Sequence, residues 1–139
     1  MILKRIFIVA VLILFYSYPL YANQNKEREA IQAADSWISL VDGEKFTKSW
    51  ENTSLYFKSA VTETQWVKSL NSIRKPLGIV LSRKLIAQQY TASLPGAPDG
   101  EYVVLQYETS FNNKASSIET ITPSLEKDGV WRVSGYFIK

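Results

Sequence analysis

The order of hydrophobic patterns along the chain predicts an α+β domain, its N-terminal helices packed on one face of a four-stranded antiparallel meander sheet. Three observations carry that prediction. Apolar residues fall at helical spacing as far as residue 73, and β-type runs fill the chain from about residue 79 onward, so helices and strands are segregated. Asn112-Asn113 and Asp128-Gly129 are short turn signals between successive β-type runs, which join those strands as hairpins. No internal repeat or low-complexity tract follows the first 22 residues.

Those first residues read as a secretory signal peptide. Lys4 and Arg5 precede an apolar run from Ile6 to Tyr16, and Pro19-Leu20-Tyr21-Ala22 closes it on a small residue. The run breaks at Ser17 and Pro19, short of the roughly 20 apolar residues of a spanning helix. Cleavage after Ala22 and no permanent membrane anchor are therefore expected. A periplasmic or secreted bacterial location follows, and the zero cysteine count fits a periplasmic domain better than a disulfide-stapled extracellular one. Residues 23–139 then form a single α+β domain, long enough to fold on its own core.

Each element has its own signal. From Lys26 to Asp42 the apolar positions Ala30, Ala33, Ala34, Trp37, Ile38, Leu40 and Val41 fall at helical spacing, and Gly43 is placed to end the helix. Phe46 and Trp50, four apart, mark a second short helix ending near Asn52, and Ser54 caps a further turn carrying Leu55, Tyr56 and Phe57. Thr62-Glu63-Thr64-Gln65 reads as a capping box. Trp66, Leu70 and Ile73 form the apolar stripe of the helix behind it, and Pro76 and Gly78 stop it. Strands are expected near 79–91, 101–111, 116–126 and 130–138.

Leu94-Pro95-Gly96-Ala97-Pro98-Asp99-Gly100 is far longer than a strand connection needs. Its prolines restrict the backbone and its glycines permit unusual dihedrals, so a stiff connection reaching across the sheet end is expected, with ligand capture as the second reading.

Parity assigns the sheet faces. If both hairpin turns hold two residues, Val103, Leu105, Tyr107, Phe111, Ile118, Trp131, Val133 and Phe137 share the face beneath the helices. The other face then carries Val104, Glu119, Ile121, Arg132, Tyr136 and Ile138, an apolar centre with polar neighbours and the expected partner surface. An extra residue in either turn would break this assignment.

The composition excludes several chemistries. With no histidine and no cysteine, histidine-activated nucleophiles, thiol chemistry and the usual zinc ligands are absent, and no metal site is expected. The Asp-Gly pairs lack the oxygen spacing of a calcium loop and read as turns. No phosphate-cradling loop occurs, and no cofactor is expected. The leader removes two of 16 basic residues and none of 13 acidic ones, leaving 14 against 13, a charge of +1 without a basic cluster; nucleic-acid binding is excluded. Carboxylate and tyrosine acid–base chemistry remains. Arg83, Tyr107, Glu119, Arg132 and Tyr136 are the polar candidates; Arg83 and Tyr107 would line a pocket between helices and sheet, and no catalytic residue is assigned.

Several short motifs carry a family resemblance. They are Trp37 with Leu40-Val41-Asp42, Ser49-Trp50, Gln65-Trp66, Arg74-x-Pro76-Leu77-Gly78, Ser82-Arg83, the stretch from Leu94 to Tyr102, Thr109-Ser110-Phe111, Glu119-Thr120 and Trp131-Arg132-Val133-x-Gly135-Tyr136. In this order they resemble the bacterial exported family called domain of unknown function 4019. The resemblance implies an exported domain without an assigned activity, and an element order similar to nuclear-transport-factor-2-like and cystatin-like cone folds. The function expected is a non-catalytic binding or assembly module, acting as a homodimer or with a protein partner through the uncovered sheet face. The alternative is a small-molecule enzyme or carrier that uses the pocket between helices and sheet.

Overall fold

The computed structural model describes residues 2–139, with side chains described from Tyr21 onward. Of the expected leader, Met1 lies outside the described residues, and so do the side chains of residues 2–20. Helix α1 is Ile2–Asp42, followed by α2 (Phe46–Glu51), α3 (Leu55–Ala60) and α4 (Glu63–Ile73). The sheet comprises β1 (Val80–Thr91), β2 (Tyr102–Phe111), β3 (Lys114–Leu125) and β4 (Trp131–Ile138), in the order β1-β2-β3-β4 with every pair antiparallel. This is the expected helix-then-meander architecture. From Tyr21 onward, where side chains are described, no helix is long and apolar enough to cross a membrane.

Helix α1 lies across all four strands. Of the apolar positions its spacing marks, Ala30, Ala34, Trp37, Ile38 and Val41 are buried against the sheet, while Ala33 and Leu40 are half-buried beside them. Its end is a Schellman turn, with Lys45 N donating to Leu40 O at 2.8 Å and Glu44 N to Val41 O at 3.0 Å. Glu44, rather than Gly43, takes the left-handed position, at φ 58°. In α4 both arms of the capping box form: Gln65 N donates to Thr62 Oγ1 and Thr62 N to Gln65 Oε1. Trp66 and Leu70 are buried beneath it, whereas Ile73 is exposed, so the apolar stripe stops one turn early.

The centre of the core is aromatic. Trp37 and Trp66 lie 6.0 Å apart between ring centroids, Tyr136 meets Trp37 edge-on at 5.3 Å, and Phe57 meets Trp66 edge-on at 5.1 Å. Both indoles are tied to Ser49: Trp37 Nε1 donates to its carbonyl and Trp66 Nε1 to its hydroxyl. The edge of β4 is partly covered, because Thr53 forms a parallel bridge with Val133 and Ser54 N donates to Val133 O at 2.9 Å.

The face assignment needs correction, and two β-bulges are the reason. Thr109 pairs with Ser117 while Phe111 pairs with Lys114, so β3 spends one extra residue beside the hairpin turn. That residue turns Glu119 and Ile121 onto the helix face, where both are 0% exposed, and turns Ile118 onto the open face. The second bulge lies in β4, where Thr122 pairs with Gly135 but Pro123 pairs with Val133. Trp131 and Val133 before it and Tyr136 and Ile138 after it thus share the helix face, while Phe137 stands on the open face, 57% exposed. Of the six residues expected on the partner surface, only Val104 and Arg132 remain on the open side. A bulge between Val80 and Ser82 likewise leaves Ile79 and Leu81 exposed while Arg83 faces inward.

Candidate functional site

Two polar regions stand out, one buried and one open. The buried one surrounds Glu119, which the first bulge carries under the helices. Its Oε1 accepts from Arg83 Nε at 2.7 Å and Thr109 Oγ1 at 2.5 Å, and its Oε2 accepts from Tyr136 Oη at 2.5 Å. Arg83 pairs bidentately with Asp42, through distances of 2.7 and 3.0 Å. Asp42 also accepts from Arg74 at 3.1 Å, and Arg74 reaches the Gly78 carbonyl at 2.7 Å. The Arg74 guanidinium lies 4.6 Å from the centre of the Phe111 ring and is 4% exposed, with its Nε unpartnered.

Two guanidinium groups thus face two carboxylates, and the cluster is charge-balanced. Burial works against the Arg83 charge, but the bonds to Asp42 and Glu119 outweigh it and hold its pKa above the ordinary arginine range. Burial, reinforced by Glu119, raises the Tyr136 hydroxyl far above its ordinary pKa. Burial and Asp35 do the same for Tyr107, whose hydroxyl donates to Asp35 Oδ1 at 3.0 Å. Both tyrosines are therefore protonated near neutral pH, and each hydroxyl donates to a carboxylate.

Of the sequence candidates, Arg83, Glu119 and Tyr136 meet in this cluster. Tyr107 is a cross-strand neighbour of Glu119 but bonds elsewhere, and Arg132 lies outside, paired with Glu126 at 2.7 Å and Asp128 at 2.9 Å. Asp42 and Arg74 were missed. Asp42 had a signal: an acid in the last turn of a helix opposes the macrodipole and needs a cationic partner to be stable there. Among the described residues no group of three or more carboxylates is placed to hold a metal ion.

The open region is a cleft of about 960 Å³ at the Tyr102 end of the sheet. Three walls form it: the link from α2 into α3, the loop before β2, and the β3–β4 hairpin. Each wall is pinned to another. Tyr56 Oη donates to Gly96 O at 2.9 Å, Leu55 N donates to Glu126 Oε2 at 2.9 Å, and the Ser134 hydroxyl lies 2.6 Å from those of Ser54 and Ser124. Tyr102 Oη donates to Pro98 O at 2.6 Å, which holds the loop down onto its own strand. The long proline- and glycine-containing connection is therefore a fixed wall.

The motifs of both regions fall within one family match. The family model described as protein of unknown function (DUF4019) matches residues 33–136. The chain belongs to this family. The DUF4019 match spans every member of the buried cluster, from Asp42 to Tyr136, and all residues that line the cleft. No curated protein matches the chain.

Proposed function

We propose that this DUF4019 domain is a non-catalytic binding or assembly module of the bacterial periplasm or exterior, with the cleft as its contact surface. The observation that carries the reading is that the buried cluster is engaged within the fold. Glu119 and Asp42 already accept three hydrogen bonds each from side chains of the fold. A general base needs a free lone pair in reach of substrate, and the groups that would supply one inside the domain are engaged. Arg83 and Tyr107, the residues of the enzyme-or-carrier alternative, are held in the same way.

Export is part of the proposal. The earliest described side-chain contact between α1 and the sheet is the Lys26–Glu101 pair, and the first buried residue is Ala30, so removal of the leader after Ala22 costs the domain no described tertiary contact. N-terminal sequencing of periplasmic protein should begin near Asn23, and an intact Met1 on membrane-bound protein would reject it.

The contact surface is tested by placing a photo-crosslinking residue at Leu55 in cells, with Gln88 on the remote edge strand as control. The reading expects an adduct with a second protein from Leu55 alone. Equal adducts from both positions, or none from Leu55, would count against it. Homo-association through the open sheet face is the second reading, favoured by the exposure of Phe137 in β4. It expects a dimer by light scattering that Phe137→Asp dissociates without loss of fold; a wild-type monomer across micromolar concentrations removes it.

A further inference from the structure

Resting on the reading of the cleft as the contact surface, we infer that its occupant is a basic linear peptide segment of another polypeptide, with Lys or Arg beside an aliphatic residue. The first ground is charge. Glu51, Asp99, Glu101, Glu126 and Asp128 line the cleft against Lys58, Lys127 and Arg132, five carboxylates to three cations on a chain whose net charge is +3, or +1 without the leader. Counting Lys26 of α1, which reaches in from outside the lining, five carboxylates face four cations, and an excess of one negative charge remains. Arg132 serves both Glu126 and Asp128, and Lys26 from α1 takes Glu101. Glu51 and Asp99, exposed on two different walls, have no ion-pair or hydrogen-bond partner among the described residues. Of the cations, Lys58 lies 5.5 Å from the centre of the Trp50 ring, and Lys127 is exposed on the hairpin wall without an ion-pair partner among the described residues. The cleft is therefore complementary to positive charge although the protein as a whole is basic.

The second ground is the apolar floor beside those carboxylates. Leu55 is 75% exposed at the first position of α3, where its own N–H is fixed by Glu126, and Tyr56 stands next to it with its hydroxyl tied to Gly96. An aliphatic side chain of the ligand has a preformed place against Leu55 and the Tyr56 ring, at little cost in ordering the protein. The third ground is shape. The volume lies at the upper end of the range for small-molecule pockets, yet the site is a three-walled trough rather than an enclosed cavity, which suits a chain passing through.

The test uses the mature protein and a short fluorescein-labelled peptide of repeated Lys-Ser-Leu-Lys, with the Glu-Ser-Leu-Glu repeat as its counterpart. The basic peptide is expected to bind by anisotropy and to move the amide shifts of Leu55, Tyr56, Asp99 and Gly100. Its affinity should fall about tenfold in the Glu51→Gln/Asp99→Asn double variant, and again in about 1 M salt, where screening acts within about 3 Å. Both substitutions are isosteric at exposed, unpaired positions, so the melting temperature serves as a control for folding. Equal affinity of the double variant, or basic-peptide shifts confined to other surfaces, would overturn the proposal. Tighter binding of the acidic peptide at the same residues would overturn the basic occupant while keeping the cleft as contact surface. A cross-link from Leu55 with no shift from either peptide would also overturn this occupant without touching the binding reading.

Discussion

The two polar regions lie toward opposite ends of β2, one around Thr109 and the other around Tyr102, and both are built from arginine and carboxylates. They differ in how those groups are spent. Around Thr109, two arginines and two carboxylates are matched and hydrogen-bonded to one another and to Thr109 and Tyr136; Glu119 and Arg74 are withdrawn from water, and Asp42 is partly exposed at the rim. Around Tyr102, the carboxylates outnumber the cations and two of them face solvent alone. Burying a charge is costly unless it is paired, and the pair once made is costly to break. A matched cluster therefore fixes the fold, while an unmatched open one leaves charge available to a ligand.

The largest effect that would break this comparison is expected from Glu119→Ala. It strips Arg83 of one partner and leaves Thr109 and Tyr136 without their acceptor, so urea unfolding should show a loss of about 3–5 kcal/mol. A midpoint within error of wild type would mean that the cluster does not hold the sheet to the helices.

Tyr136→Phe is the next in size, since it removes one hydrogen bond to a buried charge, worth about 1.5–3 kcal/mol. It also sharpens the comparison through pH. The folded-state pKa of Tyr136 is raised by burial and then by Glu119, so its contribution is fully present below the ordinary tyrosine value of about 10 and is lost as pH climbs above it. Stability of the wild type should therefore fall more steeply above that pH than stability of the variant. Parallel curves would contradict the burial of this hydroxyl.

A smaller effect, of opposite sign, is expected at Glu44. Its left-handed backbone carries a steric cost of about 1–2 kcal/mol that glycine avoids, so Glu44→Gly should stabilise the domain by about 1 kcal/mol. The turn positions Asp42 beside both arginines; a destabilised variant would mean that the Glu44 side chain, 4.0 Å from Lys75, matters more than its backbone.

These predictions concern residues of very different visibility in the sequence. The capping box at Thr62, the helical spacing around Trp37 and the hairpin signals are local, so element order and strand boundaries were legible. The faces were not, because one inserted residue inverts every side chain beyond it and leaves no mark on hydrophobic periodicity. Two residues did mark the second bulge. Pro123 sits in an interior strand, where proline is found essentially at bulges, and Gly135 lies opposite its neighbour. Small Ala115, Ser116 and Ser117 give no such mark at the first bulge, and Glu119 could be read as a surface residue for that reason. The cleft was half legible: the stiff loop announced itself, but its partners on α3 and the hairpin are brought together only by the tertiary fold.

The central claim, that the buried charges serve the fold and the open ones serve a ligand, is tested most directly by urea unfolding of Glu119→Gln beside Glu51→Gln/Asp99→Asn. Each variant removes carboxylate charge without changing side-chain size. The account predicts a clearly lowered midpoint for Glu119→Gln and a midpoint within about 0.5 kcal/mol of wild type for the cleft pair. An unmoved midpoint for Glu119→Gln together with a large loss in the cleft variant would contradict it.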